Sequence, residues 1–153
     1  MKHAHLTIAI LVSLTATATA TPVAEMKKRN AIDEVLAKAA DETKTCGKKF
    51  VLAYDWAAYD ALDWAGMKRD KQETYAGEQS NVVDIGKGID QVCADKDYRA
   101  ALVKVSKIVY RPTNNEHITL KATVSGNTLV LENYSFGSTR HADAYKSAIE
   151  AAL

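Results

Sequence analysis

Between His117 and Tyr134 two runs alternate apolar and polar residues, and no other pattern in the chain narrows the possible folds as far. A period of two puts successive side chains on opposite sides of a strand. His117 to Val124 places Ile118, Leu120, Ala122 and Val124 on one face, and Thr128 to Tyr134 does the same with Leu129 and Leu131. Ser125-Gly126-Asn127 between them reads as a tight hairpin turn. Upstream, Val105 to Arg111 is rich in β-branched residues, and Pro112-Thr113-Asn114-Asn115 reads as the turn that leaves it. These segments predict an antiparallel meander of three strands, or four if the aromatic and branched run Phe50 to Trp56 joins at an edge. One face of such a sheet is wet.

The remainder reads as helix. Over residues 24 to 45, Met26, Ile32, Val35, Leu36 and Ala39 form a stripe at three- and four-residue spacing, and Gly47 is a natural stop. Ala57 to Trp64 predicts a short helix ending near Gly66. Residues 67 to 80 are so polar, with Lys68 to Glu73 all charged or amide-bearing, that they read as a solvated loop or frayed helix. Asn81 then caps a second main helix with Val82, Ile85, Ile89 and Val92 on its buried stripe. Gly86 and Gly88 weaken that helix by up to about 1 kcal/mol each, unless they mark the close approach of another backbone. A helical turn from Asp97 to Leu102 leads into the sheet, and from about Ser138 a last helix carries Tyr145, Ile149 and Ala152 on one face. The fold class is therefore α+β: a small single domain with N-terminal helices, a three- to four-stranded antiparallel β-meander, and a C-terminal helix packed on the sheet.

The first 20 residues stand apart. A short polar start with Lys2 precedes an apolar run from Leu6 to Leu14, and small residues follow, with Ala18-Thr19-Ala20 as the cleavage match. This is the pattern of a cleaved secretory signal peptide, and the apolar run is shorter than the ~20 residues that a spanning helix needs. The domains are then residues 1–20, the leader, and residues 21–153, one α+β domain in the periplasm or outside the cell. An exported chain with an even cysteine count pairs them, so Cys46 and Cys93 are expected to form a disulfide. It would close a loop of about 48 residues and stabilise the fold by about 4 kcal/mol in the chain-entropy model.

Several function classes drop out. Loss of Lys2 with the leader leaves 19 basic against 19 acidic residues, without the basic excess that phosphate backbones reward, so no nucleic-acid partner is expected. Gly86-Lys87-Gly88 lacks the glycine pattern of a dinucleotide site, and Lys87 is not followed by Ser or Thr as in a P-loop. The mature chain holds two histidines, His117 and His141. His141 with Asp143 and Ser135 or Ser138 falls short of a triad, because no nucleophile elbow is present, and no metal or cofactor site can be assembled. Asn133-Tyr134-Ser135 fits a glycosylation sequon.

The most distinctive local stretch is Tyr54-Asp55-Trp56-Ala57-Ala58-Tyr59-Asp60-Ala61-Leu62-Asp63-Trp64, with four aromatics and three carboxylates. In a helical reading Trp56, Asp60, Asp63 and Trp64 share a face. The simpler reading is that the aromatics fill the core beside the disulfide while the aspartates cap or solvate the helix. As a surface, Trp56, Tyr59, Asp60, Asp63 and Trp64 are the candidate binding residues, since Trp and Tyr anchor interfaces. No catalytic residue is assigned. The expectation is an exported, non-catalytic binding domain with a protein partner in the envelope or outside the cell, such as an inhibitor, an immunity protein or an envelope accessory factor. The alternative is a small envelope carbohydrate-binding protein or hydrolase using residues 54–64, with paired aspartates dividing acid and base work.

Overall fold

The computed structural model describes residues 22–67 and 70–153, so the leader of residues 1–20 lies outside the described residues. The elements run α1 (Pro22–Asp41), a short 3-10 turn (Lys44–Cys46), β1 (Val51–Tyr54), α2 (Trp56–Asp60), α3 (Lys71–Val82), α4 (Ile85–Ala94), α5 (Lys96–Leu102), β2 (Lys107–Thr113), β3 (Leu120–Ser125), β4 (Thr128–Tyr134) and α6 (Ala142–Ala152). Among the described residues no helix is long and apolar enough to cross a membrane.

Proline at the start of α1 suits a position whose N–H has no helical partner. Ile32, Leu36, Ala39 and Ala40 are buried along it, whereas Met26, on the expected stripe, is exposed. The helix ends at Asp41, short of residue 45. There the Thr43 hydroxyl donates to the Ala40 carbonyl, and Gly47 closes the 3-10 turn with φ 66°, where a left-handed residue is needed. Cys46 and Cys93 are joined by a disulfide, which ties this turn to the end of α4.

The segment expected to be solvated contains α3. The Asp70 side chain accepts from the Gln72 N–H at 2.6 Å and caps it. Its buried stripe is Thr74, Tyr75, Glu78, Asn81 and Val82, which is helical in spacing but largely polar in chemistry, and for that reason escapes a hydrophobic-period reading. Asn81 accordingly lies inside the last turn of α3 instead of capping the next helix. The residue preceding α4 is Asp84.

The sheet is mixed, which corrects the expected antiparallel meander. Its order is β1-β2-β4-β3, with β1 parallel to β2, β2 parallel to β4, and only β3–β4 antiparallel. The hairpin turn is where expected, with Gly126 at φ 59°. Yet it docks with its second strand, not its first, against β2. The two strands differ in burial: Leu129, Leu131 and Asn133 of β4 are buried, while β3 exposes Lys121, Thr123, Val124 and Ser125. The more apolar strand takes the position with two neighbours, and the polar one takes the edge. Pro112-Thr113-Asn114-Asn115 is consequently no hairpin turn. Pro112 and Thr113 extend β2, and residues 114–119 carry the chain past β4. Proline is tolerated in this inner strand for a specific reason. Tyr110 directs its carbonyl to the Asp55 N–H on the β1 side, and Pro112, two residues on, faces the same way, where β1 has already ended at Tyr54. The parallel β1–β2 pair follows from the long helical crossover between them.

Alternate residues of β2 and β4 (Ile108, Tyr110, Leu129, Leu131) are fully buried, and this inner face carries the core shared with the helices. The outer face holds Lys107, Arg111 and Glu132 in half-buried or exposed positions, with Arg111 opposite Glu132 and Glu132 opposite Lys121.

Helix α4 lies between α1 and α6. Gly86 and Gly88 make this possible. A Cβ at Gly86 would run into the Ala39 backbone, with Ala39 Cα 2.9 Å away, and one at Gly88 would stand 2.8 Å from the Ala142 carbonyl oxygen. Both glycines therefore mark close backbone approach.

Candidate functional site

Residues 54–64 form the strand end, the cap and the single turn of α2, followed by a non-helical stretch. Because α2 stops at Asp60, Asp63 and Trp64 lie beyond it, and the single helical face expected for Trp56, Asp60, Asp63 and Trp64 does not form. The aromatics instead make a continuous run of ring contacts. Tyr110 meets Tyr54 at 5.4 Å between centroids, Tyr54 meets Trp56 at 4.2 Å, Trp56 meets Tyr59 at 5.7 Å, and Tyr59 meets Trp64 at 4.9 Å. Trp64 continues the run to Phe136 at 6.1 Å.

Tyr59 is wholly buried, and its hydroxyl donates to the Lys71 carbonyl. Trp64 is half-buried and donates from Nε1 to the Tyr59 carbonyl at 3.2 Å. Trp56 is half-buried too, but it faces a different neighbourhood: its Nε1 donates to Asp33 at 3.2 Å, and the Arg29 guanidinium stands 5.0 Å from its ring centroid. A groove of about 390 Å³ runs beside it, lined by Met26, Arg29, Asn30, Asp33 and Trp56 among others. The two tryptophans of the stretch thus point to separate places.

The three aspartates each have a local role. Asp55 caps α2 by accepting from the Ala58 N–H at 3.0 Å and pairs with Arg111 at 2.9 Å. Its partial burial favours protonation, but that N–H and the guanidinium outweigh it and hold the carboxyl below its ordinary value. Asp60 lies between Arg29 at 2.6 Å and Lys71 at 2.7 Å. There too desolvation is overcome by the two cations and the carboxyl is held low. Asp63 accepts from the Gly66 N–H at 2.9 Å in a turn. Asp33 moves the other way: burial raises it, against the Trp56 N–H and the Arg29 charge.

The carboxyl that the sequence reading missed is Glu78, on the buried side of α3. It has no exposed surface. The Tyr54 hydroxyl donates to its Oε2 at 2.6 Å, while Oε1 has no hydrogen-bond partner among the described residues. Burial pushes its pKa up to about 7, against the pull of Tyr54, Ser135, Tyr110 and Asn81 around it. Asn133 Nδ2 donates to the Tyr110 hydroxyl at 2.7 Å, Arg140 Nε donates to Asn133 Oδ1 at 2.9 Å, and the Tyr145 hydroxyl donates to the Asn81 carbonyl. Both polar atoms of the sequon asparagine's amide are thus engaged inside the core, which leaves it closed to glycosylation in the folded state. The signal for Glu78 was present as Tyr75, Glu78 and Val82 at three- and four-residue spacing, but it carries a charge in its middle.

His141 is exposed, with Nδ1 3.4 Å from Asp84 Oδ2, and Ser135 is buried. Among the described residues no group of three or more His, Cys, Asp or Glu side chains is placed to hold a metal ion. Comparison of the chain with protein-family models, with curated proteins and with solved structures finds no match.

Proposed function

We propose that the chain is an exported, non-catalytic binding domain that docks a protein partner through the groove beside Trp56. An inhibitor, an immunity protein or an envelope accessory factor in the periplasm or outside the cell would carry such a surface. The observation that carries the reading is the state of Trp56 and its surroundings. Its ring lies tilted against Tyr54 at 4.2 Å with the Arg29 guanidinium 5.0 Å from its centroid, its half-buried side chain lines a groove, and on the neighbouring stretch of α1 Val23 is 55% and Met26 53% exposed. A half-buried tryptophan, an exposed methionine and an arginine lining one groove match the composition of interface hot spots. Arg29 is already oriented by Glu25 and Asp60, so a partner would meet a preset guanidinium.

The hydrolase alternative draws less support. An acid catalyst needs a carboxyl whose pKa is raised toward neutrality, whereas Asp55 and Asp60 are held low by their cations.

The test is capture from host envelope extract by the disulfide-bonded protein, compared with Trp56→Ala and Met26→Asp. One stoichiometric protein is expected to be captured by the parent and lost with both variants, with the Trp56 truncation weakening binding by about thirtyfold or more. Met26 is exposed, so Met26→Asp leaves folding intact and separates a lost contact from a lost fold. Capture that ignores both substitutions, or retention on cell-wall glycan in place of a protein, would overturn the reading.

A further inference from the structure

We propose that the outer face of the sheet is the interface of a symmetric dimer, in which a second copy of the chain lies face to face on the first with its strands running the same way. The helices pack on the inner face, against Tyr54, Ile108, Tyr110, Leu129 and Leu131. The outward side chains have no such cover among the described residues. Val51 is 61% exposed, Lys107, Arg111, Lys121 and Thr123 are exposed, and Val109 and Val130 are half-buried between their neighbours. Parallel strands are as a rule covered on both faces, and β1, β2 and β4 run parallel here.

The charges decide what covers it. Strand register sorts the outward side chains into rows across the sheet. The middle row, Ala53, Val109, Val130 and Thr123, is uncharged. The next row holds Arg111 on β2, Glu132 on β4 and Lys121 on β3, and Asp55 extends it past the end of β1, where it pairs with Arg111 at 2.9 Å. From β1 to β3 the signs therefore alternate, negative, positive, negative, positive. A two-fold axis along the strands, between β2 and β4, lays each row on itself in reverse order. Arg111 then faces Glu132 of the second copy, Lys121 faces its Asp55, and Val109 meets its Val130. A two-fold across the strands through the middle row would instead set Lys107 over Arg111, and like charge disfavours it. Strands about 4.8 Å apart and residues about 3.3 Å apart give a face of about 19 by 23 Å. That is near the low end for specific interfaces, so a dissociation constant on the order of 10 μM is expected.

The test is analytical sedimentation of the disulfide-bonded protein from about 1 to about 300 μM, a range that brackets the expected constant. The parent should pass from monomer to dimer. Arg111→Glu and Glu132→Lys should each weaken the dimer about tenfold or more, since each sets like charges face to face twice. Mixed in equal amounts, these two variants should associate again, because position 111 of one then faces position 132 of the other with opposite sign. Lys121→Glu, at an exposed edge position, should also weaken the dimer and serves should Arg111→Glu fail to fold. Met26→Asp, in the groove beside Trp56, should leave it unchanged. A parent still monomeric at the top of the range, a dimer indifferent to the charge substitutions, a dimer lost in Met26→Asp, or folded variants that do not pair when mixed would overturn the proposal.

Discussion

Helices α3 and α4 are consecutive, similar in length and buried along one side, yet they join the domain by opposite means. Helix α4 packs by shape: Ile85, Ile89 and Val92 fill one side, Gly86 and Gly88 bring in the backbones of α1 and α6, and Cys93 is bonded to Cys46. Helix α3 packs by polarity: Thr74, Glu78 and Asn81 lie on its buried side, and Glu78 meets the sheet through the Tyr54 hydroxyl. A seam built on volume responds to added or removed atoms and is indifferent to pH. A seam built on a buried carboxyl depends on which protonation state it holds. The contrast can be tested by perturbing each seam in the other's terms.

The largest effect should come from the covalent part of the α4 seam. Replacing Cys46 and Cys93 together with Ala is expected to lower stability by about 4 kcal/mol, since 47 positions separate them and the unfolded chain regains the loop entropy. Urea denaturation at two pH values should show the same loss at both. A loss that varied with pH would mean that the two seams are not separate.

Next in size is the pH response of the α3 seam. The folded pKa of Glu78, about 7, lies above the ordinary value of 4.5 that the unfolded chain approaches. The folded state therefore holds the extra proton between these values. The contribution is fully present below about pH 4.5 and is lost as pH rises through about 7, amounting to about 3 kcal/mol. Asp55 and Asp60 act with the opposite sign in a lower window, because their folded values are depressed and their contribution is lost as pH falls through them. Thermal melts from about pH 5 to about pH 8 should show the parent losing stability and Glu78→Gln staying flat. A parallel fall in the variant would show that Glu78 is not the group responsible.

This contrast also explains what the sequence made legible. The apolar stripe of α4, its glycines and the cysteine pair are signals that burial and chain geometry produce directly. The β3–β4 hairpin was readable for the same reason. The place of that hairpin was not, because alternation gives the faces of a strand but not its neighbours, and the relative burial of β4 and β3 is a tertiary outcome. Helix α3 was hidden because its inward face is polar. Glu78, near the end of the polar stretch of residues 67–80, reads as one more solvated charge until the Tyr54, Ser135 and Asn81 groups around it are known. In the aromatic stretch, composition was visible but direction was not. Tyr59 turns into the core, while Trp56 borders a groove and Trp64 the Phe136 ring.

The smallest effects come from the glycines, where one methyl group added to each helix should change stability in opposite directions. In an exposed helix, Gly→Ala adds up to about 1 kcal/mol of stability by restricting the unfolded chain. Gly77 on α3 has open space where a Cβ would stand, so Gly77→Ala should gain that amount. Gly86 on α4 has the Ala39 carbonyl and Cα in the same position, and these are backbone atoms that cannot rotate away as a side-chain tip can. Gly86→Ala must push α1 and α4 apart, at a cost of about 1–3 kcal/mol that outweighs the propensity gain. Chemical denaturation of the two variants under one condition reads the sign directly. A destabilised Gly77→Ala would mean that α3 is as tightly set as α4. A stabilised Gly86→Ala would mean that the α1–α4 seam has room to relax, and that α4 does not pack by close backbone approach at Gly86.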